Sequence, residues 1–114
     1  MNDETKKRIK RFLETLKDYE VHGGEPTNYK ETLVNIRESI KKGIFEETDS
    51  KFREILLYAL KEINDNVTTI DILIMAGSMN KDFDKLIKGA NLIQSLASML
   101  IKEDKILLLE LIIN

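Results

Sequence analysis

The chain has 114 residues, of which 42% are apolar and 33% are charged, and it carries no cysteine. This composition is typical of a folded soluble protein, excludes a disordered one, and predicts a single domain over residues 1–114. The missing thiols exclude disulfides, thiolate catalysis and Cys-ligated metal centres, and the net charge of −2 provides no field that attracts nucleic acid or an anionic membrane.

The N-terminal segment predicts a first helix that ends at a glycine. Asn2 or Asp3 can cap its start. The apolar residues that follow recur at helical spacing and form one stripe: Ile9, Phe12, Leu13 and Leu16. Gly23 suits the left-handed position after a helix. Residues 22–27 hold the only proline and the only Gly-Gly pair of the chain, so this loop is the best internal breakpoint.

A second helix is predicted after that loop. Asn28 with Glu31 three residues later is typical of a capping box at a helix start. The apolar stripe of this helix consists of Tyr29, Leu33, Ile36 and Ile40. Gly43 is expected to follow the helix end in the left-handed conformation.

A third helix is predicted to begin near Asp49 or Ser50 and to end at residues 64–66, an Asn-Asp-Asn sequence. Its apolar face consists of Phe52, Ile55, Leu56, Ala59, Leu60 and Ile63. The β-branched residues of segment 67–76 would also allow a strand. We predict a helix that ends at Gly77, because the chain offers no second strand with which the segment could pair.

A long fifth helix is predicted over residues 80–101, followed by a break at residues 103–104 and a final helix over 105–113. One side of the fifth helix is lined by Phe83, Leu86, Ile87, Ala90, Ile93, Ala97, Leu100 and Ile101. The roughly opposite side carries Leu92, Leu96 and Met99. Gly89 inside this helix favours close approach of a neighbouring helix.

These elements predict an all-α fold, a compact bundle of five or six short helices. Short loops favour antiparallel neighbours. The whole chain is expected to form this single helical-bundle domain.

Catalytic and metal-binding groups are scarce. His22 is the only histidine, and although Glu20 and Glu25 lie close in sequence, a solvated histidine at a helix end is the expected role. No serine lies in a nucleophile motif, and no phosphate-binding glycine loop occurs. We therefore predict that the protein is not an enzyme and has no cofactor and no metal site.

A cluster of cations in the first helix suggests an alternative function, association with nucleic acid. The cluster consists of Lys6, Lys7, Arg8, Lys10 and Arg11. Such side chains can neutralise phosphates. Neighbouring acids reduce the charge of residues 1–20 to +1, and a solvated helix face needs lysines in any case. Direct contact with nucleic acid is therefore the less favoured prediction.

The C-terminal residues carry more apolar surface than a small bundle needs, because residues 67–114 hold 26 of the 48 apolar residues. The predicted interface residues are Leu92, Leu96, Met99, Leu107, Leu108, Leu111 and Ile112. Either the last helix folds back over the fifth, or another chain covers this surface. That chain would be another protein or a second copy of this one. The last helix is too short to span a membrane.

The sequence therefore predicts a small non-enzymatic helical protein that acts by protein–protein interaction. Regulators, inhibitors, immunity factors and assembly subunits fit this description, and self-association of the C-terminal helices is one route. The charged N-terminus resembles no secretory signal, so a cytoplasmic location is expected. Lysine outnumbers arginine 14 to 4, which indicates an AT-rich genome such as that of a low-GC bacterium or its phages.

Overall fold

The structure, a computed structural model, describes residues 1–89 and 91–114 of the chain. The described residues form six α-helices and no strand, which confirms the all-α prediction. The helices are α1 (Asp3–His22), α2 (Pro26–Glu46), α3 (Ser50–Met79), α4 (Lys81–Gly89), α5 (Leu92–Ile101) and α6 (Asp104–Ile113). The ambiguous segment 67–76 lies inside α3 and is helical.

The helices run up and down around one core. Three-residue loops join α1 to α2 and α2 to α3, so these helices alternate in direction. Asn66 of α3 bonds to Leu96 of α5, and Tyr58, earlier in α3, contacts Lys105, later in the chain. In these two contacts a later residue of α5 or α6 meets an earlier residue of α3, so the chain directions are opposite. α5 and α6 together therefore act as a broken fourth helix that runs antiparallel to α3.

α3 is a single helix of 30 residues, and the predicted break at residues 64–66 is wrong. Asn66 is buried within the helix, where its side chain bonds to other helices and caps no helix end. Ile63, Val67 and Ile70 continue the buried stripe across the expected break. Burial of this stripe outweighs the weak helix propensity of asparagine and aspartate.

α4 packs closely against the C-terminal part of α3. The prediction that Gly77 follows a helix end is wrong, because Gly77 lies inside α3. A Cβ atom at Gly77 would lie only 3.0 Å from Oδ1 of Asp84 in α4, so the glycine permits the close approach. α3 ends at Met79, and the Asn80 side chain then caps α4 by accepting two amide hydrogen bonds of its first turn.

The long helix predicted over residues 80–101 is two helices in the structure. α4 packs against α3, whereas α5 packs against α1, where the Gln94 side chain donates to the carbonyl of Val21. α4 ends at Gly89 and α5 begins at Leu92, so the two halves of the predicted helix are separate helices with different packing partners. Ala90 and the surroundings of Gly89, both part of the prediction for this stretch, lie outside the described residues.

α2 differs from its prediction at both ends. It begins at Pro26, which suits the first helical position, so Asn28 lies within the first turn and is not the cap. It continues past the buried Gly43 to Glu46. The Glu46 carboxylate accepts a hydrogen bond from the Thr5 hydroxyl at 3.3 Å, which ties this last turn to α1.

The predicted apolar stripes of α1, α2 and the first half of α3 enter one core. Its fully or nearly fully buried side chains include Ile9, Phe12, Leu13, Leu16, Tyr29, Leu33, Ile36, Ile40, Leu56, Ala59 and Ile63. α5 and α6 complete it with Ile93, Leu96, Ala97, Leu100, Ile106 and Leu109. The core is therefore formed by α1, α2, α3, α5 and α6.

The start of α3 offers a test of local stability. The Asp49 side chain accepts hydrogen bonds from the amides of Lys51 and Phe52 at 2.9 and 3.1 Å. Asp49→Ala is expected to lower the free energy of unfolding by about 1 kcal/mol, because two amides lose their acceptor. Asp49→Asn keeps an acceptor and should cost much less. Urea unfolding of both variants checks this, and equal losses would contradict it.

Candidate functional site

α6 is apolar on nearly every side. Its buried side holds Ile106 and Leu109. Four further large side chains are exposed to solvent: Leu107 by 43%, Leu108 by 39%, Leu111 by 76% and Ile112 by 47%. We name these four residues the α6 surface. A helix that is apolar all round is normally buried on all sides, and this one is covered on one side only.

Contacts at both edges fix the rotation of α6. On one edge, Glu110 forms an ion pair with Lys17 of α1. On the other edge, the Lys105 ammonium lies 5.3 Å from the ring centroid of Tyr58 in α3. The Tyr58 ring is itself about half exposed and extends the apolar surface. The α6 surface therefore lies between a polar contact to α1 and an aromatic contact to α3.

The structure separates the seven predicted interface residues into three groups. Leu107, Leu108, Leu111 and Ile112 form the α6 surface. Met99 is exposed on α5, apart from the core. Leu96 lies in the core, and Leu92 packs against it half-buried. The apolar second side of α5 is therefore covered in part, because this helix contacts both α1 and α3 while Met99 stays exposed.

A second exposed apolar stripe, which the sequence analysis missed, follows the outer side of α3. Ile72, Met75 and Met79 recur at i, i+3 and i+7, and all three are mostly exposed. This helical spacing could have been recognised in the sequence. The buried stripe that includes Val67 and Ile70, on a different side of the helix, was used to predict the helix instead.

The basic residues of α1 all reach solvent but do not share one face. Arg8 and Arg11 line a groove of about 340 Å³ between α1 and α2, opposite polar side chains such as Asn35. Lys6 lines a different hollow that includes Ile112 of α6. Arg8 also pairs with Glu4 at 3.0 Å. Arg8 and Arg11 therefore lie on a different side of α1 from Lys6.

His22 is exposed at the end of α1, beside a shallow hollow lined by Asp18 and Tyr19. Within residues 1–89 and 91–114, no group of three or more histidine, aspartate or glutamate side chains could hold a metal ion. Among these same residues, no helix is both long enough and apolar enough to cross a membrane.

One polar network lies inside the core. The Tyr29 hydroxyl donates to Oδ1 of Asn66 at 2.5 Å, and Nδ2 of Asn66 donates to the carbonyl of Leu96 at 3.2 Å. The Tyr19 ring meets the Tyr29 ring edge-on at 5.1 Å between centroids. This network joins α2, α3 and α5, and nothing in the sequence pattern indicated it.

The network makes stability depend on alkaline pH. Burial, and to a lesser extent the neighbouring Tyr19, raise the pKa of Tyr29 above its ordinary value of 10.0. As the pH rises, the Tyr29 hydroxyl loses its proton in the unfolded chain before it does so in the folded protein. The contribution of Tyr29 to the free energy of unfolding is therefore fully present below pH 10 and decreases above it. We expect a decrease of up to roughly 1.4 kcal/mol per pH unit. Tyr29→Phe should remove this component of the slope, whereas Tyr58→Phe should keep it, as measured by urea unfolding between pH 8 and about 11.

Comparison with protein-family models, with curated proteins and with solved structures found no match for this chain.

Proposed function

We propose that this is a small, non-enzymatic, cytoplasmic protein that acts by docking on another protein chain through the α6 surface. A regulator, an inhibitor, an immunity factor and an assembly subunit would all act in this way. The observation that carries the proposal is the exposure of four large aliphatic side chains on one ten-residue helix. Contiguous apolar patches of this kind mark interaction sites on soluble proteins.

The energetics support docking at α6. Complete burial of a leucine or isoleucine side chain is worth roughly 1.5–3 kcal/mol. Because the four side chains are about half exposed, covering them would contribute about 3–6 kcal/mol. Association costs about 4–15 kcal/mol, so a partner must add polar contacts or apolar area of its own. Lys105 and Glu110 at the edges of α6 offer such polar contacts.

Site-specific photo-crosslinking in the cells that naturally produce the protein tests the proposal. A photoreactive amino acid replaces Leu111 on the α6 surface or, as the control, Phe45, which is 90% exposed at the end of α2. We expect a discrete protein adduct from position 111 and none from position 45. No adduct from position 111, or the same adduct from both positions, would contradict docking through α6.

Nucleic-acid association is the second candidate, and the groove between α1 and α2 favours it. Arg8 and Arg11 share this groove with side chains that can form hydrogen bonds. We expect weaker binding than at a dedicated site, because Lys6 lies on the other side of α1. Binding should weaken steeply with salt. A variant with all five cations changed to glutamine should lose it, and unchanged low-salt binding would exclude this candidate.

A further inference from the structure

We propose that the groove between α1 and α2 binds a small phosphorylated polyol, such as a sugar phosphate, with the phosphate held by Arg8 and Arg11. The groove lies apart from the α6 surface, so this inference goes beyond docking and does not depend on it. The arguments are the unused hydrogen-bond donors at one end of the groove, the acceptors at its other end, and its size.

Two antiparallel rows of side chains line the groove. Both rows have the helical spacing i, i+3, i+4, i+7, and they consist of Arg8, Arg11, Phe12 and Thr15 on α1 and Thr32, Asn35, Ile36 and Ser39 on α2. Because α1 and α2 run in opposite directions, Arg8 and Ser39 lie at one end of the groove. Thr15 and Thr32 lie at the other end. The groove therefore has a basic end and a threonine end.

The basic end supplies hydrogen-bond donors that the protein itself leaves unused. Among the residues that the structure describes, the side chains of Arg11, Asn35 and Ser39 form no hydrogen bond. Arg8 gives a single N–H group to Glu4, at 3.0 Å, and its guanidinium has five. Two arginines together with neutral donors suit the three terminal oxygens and the double charge of a phosphate monoester.

The threonine end supplies acceptors. The Thr15 hydroxyl donates to the carbonyl of Arg11 at 2.9 Å. The Thr32 hydroxyl donates to the carbonyl of Asn28 at 3.0 Å. A hydroxyl has one proton and two lone pairs, so these two oxygens can still accept hydrogen bonds but cannot donate again. This end therefore suits the hydroxyl groups of a ligand whose phosphate lies at the basic end.

The size of the groove fits a small molecule better than a nucleic acid. Arg8 and Thr15 are seven residues apart, which is about 10 Å along a helix. The groove has a volume of about 340 Å³, within the range of roughly 300–1,000 Å³ for small-molecule sites. Its floor is apolar, because Phe12 and Ile36 are each only 5% exposed. Nucleic acid is bound through several phosphates, whereas Lys6 lies on another side of α1 and the net charge is −2.

Nuclear magnetic resonance titration of the full chain with ribose phosphate tests the site. The chain has four arginines, so four arginine Nε–H signals are expected. Arg8 and Arg11 line the groove, whereas Arg37 and Arg53 bond to other parts of the protein. We expect the signals of Arg8 and Arg11 to shift until they saturate, and the other two to stay in place as internal controls.

Further probes show which part of the ligand is recognised. Inorganic phosphate should shift the same two signals but bind about two- to tenfold more weakly than ribose phosphate, because it has no hydroxyls that reach the threonines. Ribose without phosphate should cause no shift, and acetate at the same ionic strength should cause none. Single-stranded oligothymidylate is the probe for nucleic acid.

Variants at exposed positions test the residues of the groove. Arg11→Gln should weaken the binding of ribose phosphate about tenfold or more, because a charge-assisted contact is lost. Asn35→Asp should abolish binding, since its carboxylate repels the phosphate and pairs with the arginines. The matched control is Lys10→Gln, which removes the same charge from α1 outside the groove and should bind like the wild type. All three side chains are exposed, so each variant should keep the helical circular dichroism of the wild type.

Several outcomes would overturn the site. These are equal shifts of all four arginine signals, equally strong binding of acetate, and binding that Arg11→Gln leaves unchanged or that Lys10→Gln weakens as much. A groove that binds oligothymidylate but not ribose phosphate would overturn the small-molecule site and leave nucleic-acid association standing. None of these outcomes affects the crosslink from position 111, so failure of this site and failure of docking through α6 are distinguishable.

Discussion

Replacing Leu96 by aspartate is expected to unfold the protein, whereas the same change at Leu111 should leave it folded. Leu96 is 5% exposed and lies in the core between α1 and α3, while Leu111 is 76% exposed on α6. Leu96→Asp removes the leucine contacts, worth roughly 2–5 kcal/mol, and places an unpaired carboxylate in the core at a further cost of several kcal/mol. The sum approaches the total stability of a domain this size, roughly 5–15 kcal/mol.

The measurement is the far-ultraviolet circular dichroism of both variants, followed by urea unfolding. Leu111→Asp should retain the helical spectrum and change the free energy of unfolding by about 0.5 kcal/mol or less, because exposed positions contribute little to stability. Leu96→Ala, which makes a cavity without a charge, should fall between them. A folded Leu96→Asp variant that only loses self-association would place Leu96 on an interface and contradict the fold at α5.

Leu96 and Leu111 also show which part of the candidate site could be predicted from the sequence and which part could not. The sequence predicted that α6 is apolar on nearly every side, because ten residues at 3.6 residues per turn place side chains on all sides of a helix. The same reasoning placed Leu96 on the interface, because α5 also carries apolar residues on two sides. Only the structure shows that α5 contacts both α1 and α3 and that Leu96 is buried, a fact of tertiary packing.

The fold itself was largely predictable for the same reason of local periodicity. The stripe of Ile9 and Leu16 in α1 and that of Leu33 and Ile40 in α2 are buried as expected. The errors concern where helices end. The local sequence around Asn66 is typical of a helix end. Its two hydrogen-bond partners, however, lie 37 and 30 residues away along the chain, so no local pattern could predict them.

Asn66→Leu is expected to cost about 2–4 kcal/mol of stability, the second large effect. The substitution leaves the Tyr29 hydroxyl buried with no acceptor, and a buried polar group without a partner costs roughly 1–3 kcal/mol. The branched side chain must also fit against the carbonyl of Leu96, which adds a packing term. Urea unfolding of the variant measures the loss.

A double-mutant cycle separates the lost hydrogen bond from the change in packing. Tyr29→Phe alone removes the donor and leaves Oδ1 of Asn66 unpaired, so it should destabilise by roughly 1–2 kcal/mol. In the Asn66→Leu background the same change removes the orphaned hydroxyl and should restore part of the lost stability, because replacing both partners by apolar groups is far cheaper than replacing one. The two losses are therefore expected to be strongly non-additive. Simple additivity would mean that the Tyr29 hydroxyl finds another partner in the Asn66→Leu variant, and would contradict coupling between these two side chains.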